Sequence, residues 1–204
     1  MERVIMVVVS GPAGSGKGTV NAELLKTGDF VYSVSATTRA PRPGEVDGVH
    51  YHFITEEDFR ARIAEGGMLE YTQYCGNFYG TPKKEAEEVL ASGKHLILEI
   101  EVDGAMQVKS RYPEAVLIML LPPSYEVQEQ RLRGRATETE EKILARLEQT
   151  KFEVRRVSEY DSIVYNCDGG AVECAQEIQT IVRAECLAAK RRPNAASDYF
   201  KRQN

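Results

Sequence analysis

The chain has 204 residues, 42% of them hydrophobic, and sets 26 Lys and Arg against 31 Asp and Glu for a net charge of −5. That length suits one α/β domain with an insertion or two, and the acidic balance argues against a general nucleic-acid or membrane-surface binder. Four cysteines without a C-x-x-C pair, and no long apolar run, lead to the expectation of a reduced, soluble, cytoplasmic protein.

The apolar run at 4–10 (VIMVVVS) reads as a buried strand, and Gly11-Pro12-Ala13-Gly14-Ser15-Gly16-Lys17-Gly18-Thr19 follows it directly. Its glycines let the backbone curl until N–H groups point inward, and a helix expected from about Lys17 adds its positive end. This is the P-loop pattern, with Gly18 in the place of the usual Ser or Thr and the hydroxyl one position later at Thr19. The motif names a nucleotide phosphate as ligand but not a reaction.

A short strand is expected at 31–35, followed by a proline-rich loop at 36–45 that holds Arg39 and Arg42. Paired guanidiniums there suit a second anion facing the P-loop, although an isolated pair would read as a solvated turn. Next come a strand at 51–54, a helix opened by Thr55, a hairpin through 68–79 and a helix from Lys83. The run 94–101 is a second buried strand ending in Glu99 and Glu101, the pattern of a Walker B strand, where carboxylates lie near bound phosphates or their magnesium. His50, His52 and His95 lack metal-ligand spacing. A helix at 102–111, a strand at 115–121, arginine-bearing helices around Gly134, a last strand at 162–166 and a helix at 171–187 complete the alternation. Arg131, Arg133, Arg135 and Arg146 there suit a lid closing over phosphates, and residues 190–204 are read as a frayed polar tail.

The combination Ser33-Val34-Ser35-x-Thr37-Thr38-Arg39-x-Pro41-Arg42-x-Gly44-Glu45, with Gly76-Asn77-Phe78-Tyr79-Gly80-Thr81 further on, resembles the guanylate kinases of the bacterial type, a family of P-loop nucleoside-monophosphate kinases. The resemblance runs from the P-loop to the last helix. It implies an α/β kinase core with a parallel sheet flanked by helices, a small mixed α/β GMP-binding insertion and a helical lid. The expected division of the domain at 1–190 is core 1–35, 91–125 and 147–190, lobe 36–90 and lid 126–146, with a tail at 191–204.

The resemblance further implies transfer of the ATP γ-phosphoryl group to GMP with Mg2+, in purine nucleotide metabolism and GMP recycling. ATP would sit on residues 11–19, and Thr19 would meet the metal directly or through water. Ser35, Arg39, Arg42, Tyr51 and Tyr79 match the binders of the GMP phosphate. Glu70, Thr81 and Glu101 match the guanine contacts, Glu101 standing where aspartate is commoner. Lys17, Arg42, Arg131, Arg135 and Arg146 match the groups around the transferring phosphoryl. A carboxylate accepting from guanine N1–H and the 2-amino group, with a hydroxyl on O6, is chemistry that adenine cannot supply. Partners are the two nucleotides, with neither nucleic acid nor membrane, and a homo-oligomer is compatible. The rivals are another nucleoside-monophosphate kinase and a non-catalytic interaction module of guanylate-kinase type, the latter disfavoured by the intact P-loop.

Overall fold

The computed structural model describes residues 3–74, 76–134 and 139–201. Met6–Ser10 (β1), Phe30–Tyr32 (β2), His95–Glu99 (β7), Val116–Leu121 (β8) and Ser162–Tyr165 (β9) form a parallel sheet in the order β2-β7-β1-β8-β9. Parallel strands need crossover helices, which cover both faces and explain why β1 and β8 are apolar at nearly every position. Val7 and Val9 face Val20 and Leu24 of α1 (Lys17–Leu25) and Ile178 and Val182 of α7 (Ala171–Leu187). Met6 and Val8 face Ala105 and Val108 of α4 (Val102–Arg111) and Ala86 of α3 (Lys83–Ala91). The carboxyl ends of β1 and β7 thus point the same way, and the loops after them share one edge.

Between β2 and α3 the chain builds a second sheet from Ala36–Thr37 (β3), His52–Phe53 (β4), Met68–Tyr74 (β5) and Asn77–Pro82 (β6), ordered β4-β3-β6-β5. Phe59 of α2 (Glu56–Ala64) fills its small core with Ala36, Met68 and Phe78. Two expectations are corrected here. The strand expected at 31–35 stops at Tyr32, and the segment read as loop begins with β3. Thr37 Oγ1 donates to Phe78 O at 2.9 Å and Thr38 Oγ1 accepts from Phe78 N at 2.9 Å, a tie to a distant strand that no local pattern announces. The register of β5 against β6 shifts between Met68 and Glu70, so Leu69 is an extra residue. Leu69 turns into the core of the main sheet and Glu70 comes opposite Thr81. Bulges re-aim side chains in this way.

On the other side of the P-loop, α5 (Tyr125–Gly134) and α6 (Glu140–Arg155) pack Leu132, Ile143 and Leu147 against one another and against Ala13. The expected lid, 126–146, covers most of α5 and the start of α6; Arg135, Ala136 and Thr137 lie outside the described residues, as does Cys75. The tail also differs from expectation. A helical turn at Ala189–Arg191 and α8 at Ala195–Lys201 replace the structureless reading, and Arg191 is fastened to Glu185 at 2.8 Å. Among the described residues, no helix is long and apolar enough to cross a membrane.

Candidate active site

A cleft of about 390 Å³ opens where the two sheets and α6 meet. One wall is the P-loop. Gly16, at φ 88°, caps α1 in the left-handed region, and a side chain there would strike Asn166 Nδ2, so glycine is required twice over. Two distant side chains hold the loop. Asn166, just beyond β9, donates Nδ2 to Ser15 O at 2.8 Å, and buried Gln128 of α5 donates to Ala13 O at 2.8 Å and Thr150 Oγ1 at 2.7 Å. Lys17 Nζ leans back on the loop, donating to Gly11 O at 2.5 Å and Pro12 O at 3.4 Å.

The facing wall is the arginine loop. Arg39 Nη1 and Nη2 each donate to Glu45 at 2.9 Å in a two-pronged pair, while Arg42 N donates to Glu45 Oε2 at 2.7 Å. The Arg39 hydrogen bonds, and then that of Arg42 N, hold the Glu45 carboxyl down at about 2. Tyr51 and Phe53 support the Arg39 guanidinium, which lies 5.5 and 5.7 Å from their ring centres. Glu45 takes one edge of the fork, leaving further N–H donors for another anion.

Glu70 lies at the floor. It is only 2% exposed, and its burial pushes its carboxyl up to about 7 despite hydrogen bonds from Thr81 and the charge of Arg111. Thr81 Oγ1 donates to Glu70 Oε1 at 2.7 Å. On the other side of the carboxyl stands Gly104 of α4, where an added Cβ would lie 2.6 Å from Glu70 Oε2. The room for this acid is therefore the missing side chain of a helix that packs on its strand.

At the end of β7, Glu99 accepts from Asn21 Nδ2 at 2.8 Å and Tyr32 Oη at 3.3 Å, and two residues on, Glu101 occupies the N-cap position of α4 without a capping bond from its side chain. Arg146, Gln149 and Glu153 of α6 close the cleft from above. They recur at helical spacing and so share one face.

A family profile described as guanylate kinase matches residues 3–185. The chain belongs to the guanylate kinase family. It is 45% identical over 190 residues to a guanylate kinase of Desulfitobacterium hafniense (strain Y51), covering 93% of this chain and 94% of that one. A Streptococcus agalactiae guanylate kinase is 50% identical over 186 residues, 90% of this chain and 88% of the relative. The crystal structure of guanylate kinase from Anaplasma phagocytophilum superposes with a TM-score of 0.74 at 33% identity, covering 92% and 89% of the two chains.

Of the residues expected from the family pattern, Ala13, Gly14, Gly16, Lys17, Gly18, Thr19, Ser35, Arg39, Arg42, Tyr51, Glu70, Tyr79, Glu101 and Arg146 come together on this one cleft. Gly11, Pro12 and Ser15 are buried in the P-loop beneath it. Arg131 stands beside the loop, with Nη2 donating to Asn166 O and Asp168 Oδ1, each at 2.8 Å. Arg133 pairs outward with Glu129 and Glu140. Thr81, matched to a guanine contact by the resemblance, is fully buried behind Glu70 and donates Oγ1 to that carboxyl in the ligand-free structure. Reading the guanylate kinase pattern alone missed Thr72, Gln149, Glu153, Gly104, Gln128 and Asn166. None has a motif, and Glu153 lies on the polar face of α6 with Arg146 and Gln149, where an acid carries no local signal.

Proposed function

We infer that the chain transfers the γ-phosphoryl group of ATP to GMP, giving ADP and GDP. The observation that supports this most is one cleft holding two anion sites, the P-loop on one wall and the Arg39 and Arg42 loop on the other, with a buried carboxyl beside the second. Two anion sites at one cavity suit the direct passage of a phosphoryl group between two nucleotides.

The P-loop N–H groups, the amino end of α1 and Lys17 hold the ATP phosphates. ATP charge draws Lys17 away from the Gly11 and Pro12 carbonyls. Arg39, on the edge that Glu45 leaves open, and Arg42 grip the GMP phosphate together with Ser35, Tyr51 and Tyr79. One of its oxygens attacks the γ-phosphorus; the bond to the β-phosphate oxygen breaks and ADP departs. That nucleophile is already anionic at pH 7, so the residues supply position and charge rather than a general base. Arg146 from α6, with Lys17, neutralises the charge spread over the transferring group. Arg131, released from Asp168, and Arg135 join them when the lid closes, which also keeps water from the phosphoryl group.

The base is read by Glu70, which accepts from N1–H and the 2-amino group in its ionised form, and by Glu101. Thr81 fixes the Glu70 rotamer. Mg2+ enters with ATP: the Thr19 hydroxyl and the Glu99 carboxylate, both on the cleft, are the hard oxygens that suit it. Among the described residues no cluster of three or more His, Cys, Asp or Glu could hold a metal by itself, which fits an ion borne mainly by phosphates and water. Bound there, the ion would offset charge on the β- and γ-phosphates.

Coupled ADP release with equal concentrations of GMP, IMP and AMP tests the assignment. The expected order is GMP, then IMP, then AMP, with AMP about 10⁴-fold poorer because a buried acceptor faces an acceptor. AMP turnover equal to GMP overturns it.

A further inference from the structure

Glu153 is a buried carboxyl for which the phosphoryl transfer derived above has no use. It is 6% exposed and lines both the nucleotide cleft and a second cavity of about 300 Å³, which it shares with Glu101, Gln149 and Arg156. Acids are seldom buried without a partner. Here the neighbour it meets in both cavities is another acid, Glu101. Two carboxyls sharing a site favour one shared proton.

The other charged and titratable groups around the pair come from every neighbouring element. Lys17 reaches it from α1, Gln149 from α6, and Tyr160 from the turn after α6. Arg156 and Asp103 pair at 2.8 Å on the rim, and Arg146 shares the cleft. Lys17 and the Gln149 amide favour an ionised Glu153; burial first, and then Glu101, oppose them and prevail, pushing the Glu153 carboxyl up to about 7. Arg146, seven residues earlier on the same face of α6, belongs to the phosphoryl side.

We propose that Glu153 is a positioning residue for guanine specificity: in its neutral form it donates to Glu101 and holds that carboxylate against the 2-amino group of the bound base. The proposal rests on GMP being the acceptor and Glu101 a base contact. Loss of the proton replaces a hydrogen bond by repulsion, Glu101 turns away, and the grip on the 2-amino group is lost. Glu153 also ties the helix that carries Arg146 to the presence of the correct base.

GMP KM measured from pH 6 to 9 in wild type and in Glu153→Gln tests this. Above pH 7 the wild-type KM should climb about threefold to tenfold, the value of one hydrogen bond. Glu153→Gln, whose amide donates without titrating, should show no such climb above pH 7. IMP lacks the 2-amino group and should show no climb in either protein, and ATP KM should run parallel in both. A climb that survives in Glu153→Gln, or one equally large for IMP or ATP, overturns the proposal. Infrared spectra of the ligand-free proteins give a readout independent of turnover. Wild type should lose one more neutral-carboxyl signal around pH 7 than Glu153→Gln does, and Glu101→Gln should move that loss to lower pH. No such difference, with GMP turnover intact, overturns the proposal alone. The difference present in a protein that phosphorylates AMP as well as GMP overturns the acceptor assignment and the proposal with it.

Discussion

The two walls of the cleft are prepared differently. On the acceptor wall a carboxylate fixes the key cation, with Glu45 occupying one edge of Arg39 and the Arg42 N–H, and Thr81 fixes the key acid. On the donor wall Lys17 donates, among the described residues, to the neutral carbonyls of Gly11 and Pro12 in its own loop. A charged two-pronged pair is retained when ligand arrives, whereas a hydrogen bond to a carbonyl yields readily to a polyphosphate. On the assignment proposed above, the acceptor site is therefore set before GMP binds, and the donor site is completed by ATP itself.

The strongest way to break this contrast is Lys17→Met. Its charge matters most as the γ-phosphoryl transfers, so kcat should fall about 10²- to 10³-fold while the GMP dissociation constant, measured calorimetrically without ATP, stays within about twofold. A loss of GMP affinity as large as the loss of kcat would show that the walls are not independent. Arg39→Ala should do the reverse, raising GMP KM about tenfold to a hundredfold with ATP KM unmoved. Glu45→Gln sharpens the point. The amide keeps the shape but removes the charge that fixes the fork, so GMP KM should rise about threefold to tenfold. A fall in GMP KM instead would mean that Glu45 competes with the phosphate rather than positioning its receptor.

Gly104→Ala probes the same preparation at the base. Its Cβ would force Glu70 off Thr81, and although a carboxyl tip is flexible, this one is buried with nowhere polar to go. GMP KM should rise about fivefold, with ATP KM unchanged. Steady-state kinetics with each nucleotide varied in turn would check this; an unaltered GMP KM would mean that Glu70 has a second satisfactory position.

Gly104 also shows where sequence reading stops. The P-loop was legible because its function is written in contiguous residues, Gly11 to Thr19, whose spacing fixes a backbone shape. The arginine loop was legible for the same reason. Glu70 was recognised through family pattern, but its partnership depends on the extra residue Leu69, which sets Glu70 opposite Thr81. The hydrogen bond from Thr81 to Glu70 was accordingly not foreseen. Asn166, Gln128 and Glu153 act across the fold, Asn166 on a loop 151 positions away. No periodicity or spacing encodes such contacts. The tail was misread because Arg191 folds back onto Glu185, a pairing that composition does not suggest.

The smallest expected effect concerns protons, and it separates two carboxyls that look alike in the free protein. Glu70 and Glu153 are both pushed up to about 7 by burial. Guanine offers donors to Glu70 and so stabilises its charged form, which lowers its pKa in the complex. Glu153 keeps its proton on Glu101. The sign for Glu70 follows from linkage: a group whose pKa falls on binding releases a proton, so the Glu70 contribution to GMP binding strengthens as pH rises through 7 and then levels off, opposite in sign to the loss expected from Glu153 above pH 7. Because burial raises the Glu70 carboxyl, part of it carries a proton before binding, so a fraction of a proton should leave Glu70 with each GMP bound, more at pH 6 than at pH 8. Calorimetry in buffers of different ionisation enthalpy counts those protons, and Glu70→Gln subtracts the GMP phosphate, which titrates near pH 6 in both proteins. A count unchanged by Glu70→Gln would mean that Glu70 is already ionised in the free protein. A release that survives in Glu70→Gln beyond what the GMP phosphate accounts for would mean that Glu153 gives up its proton too, against the role proposed for it.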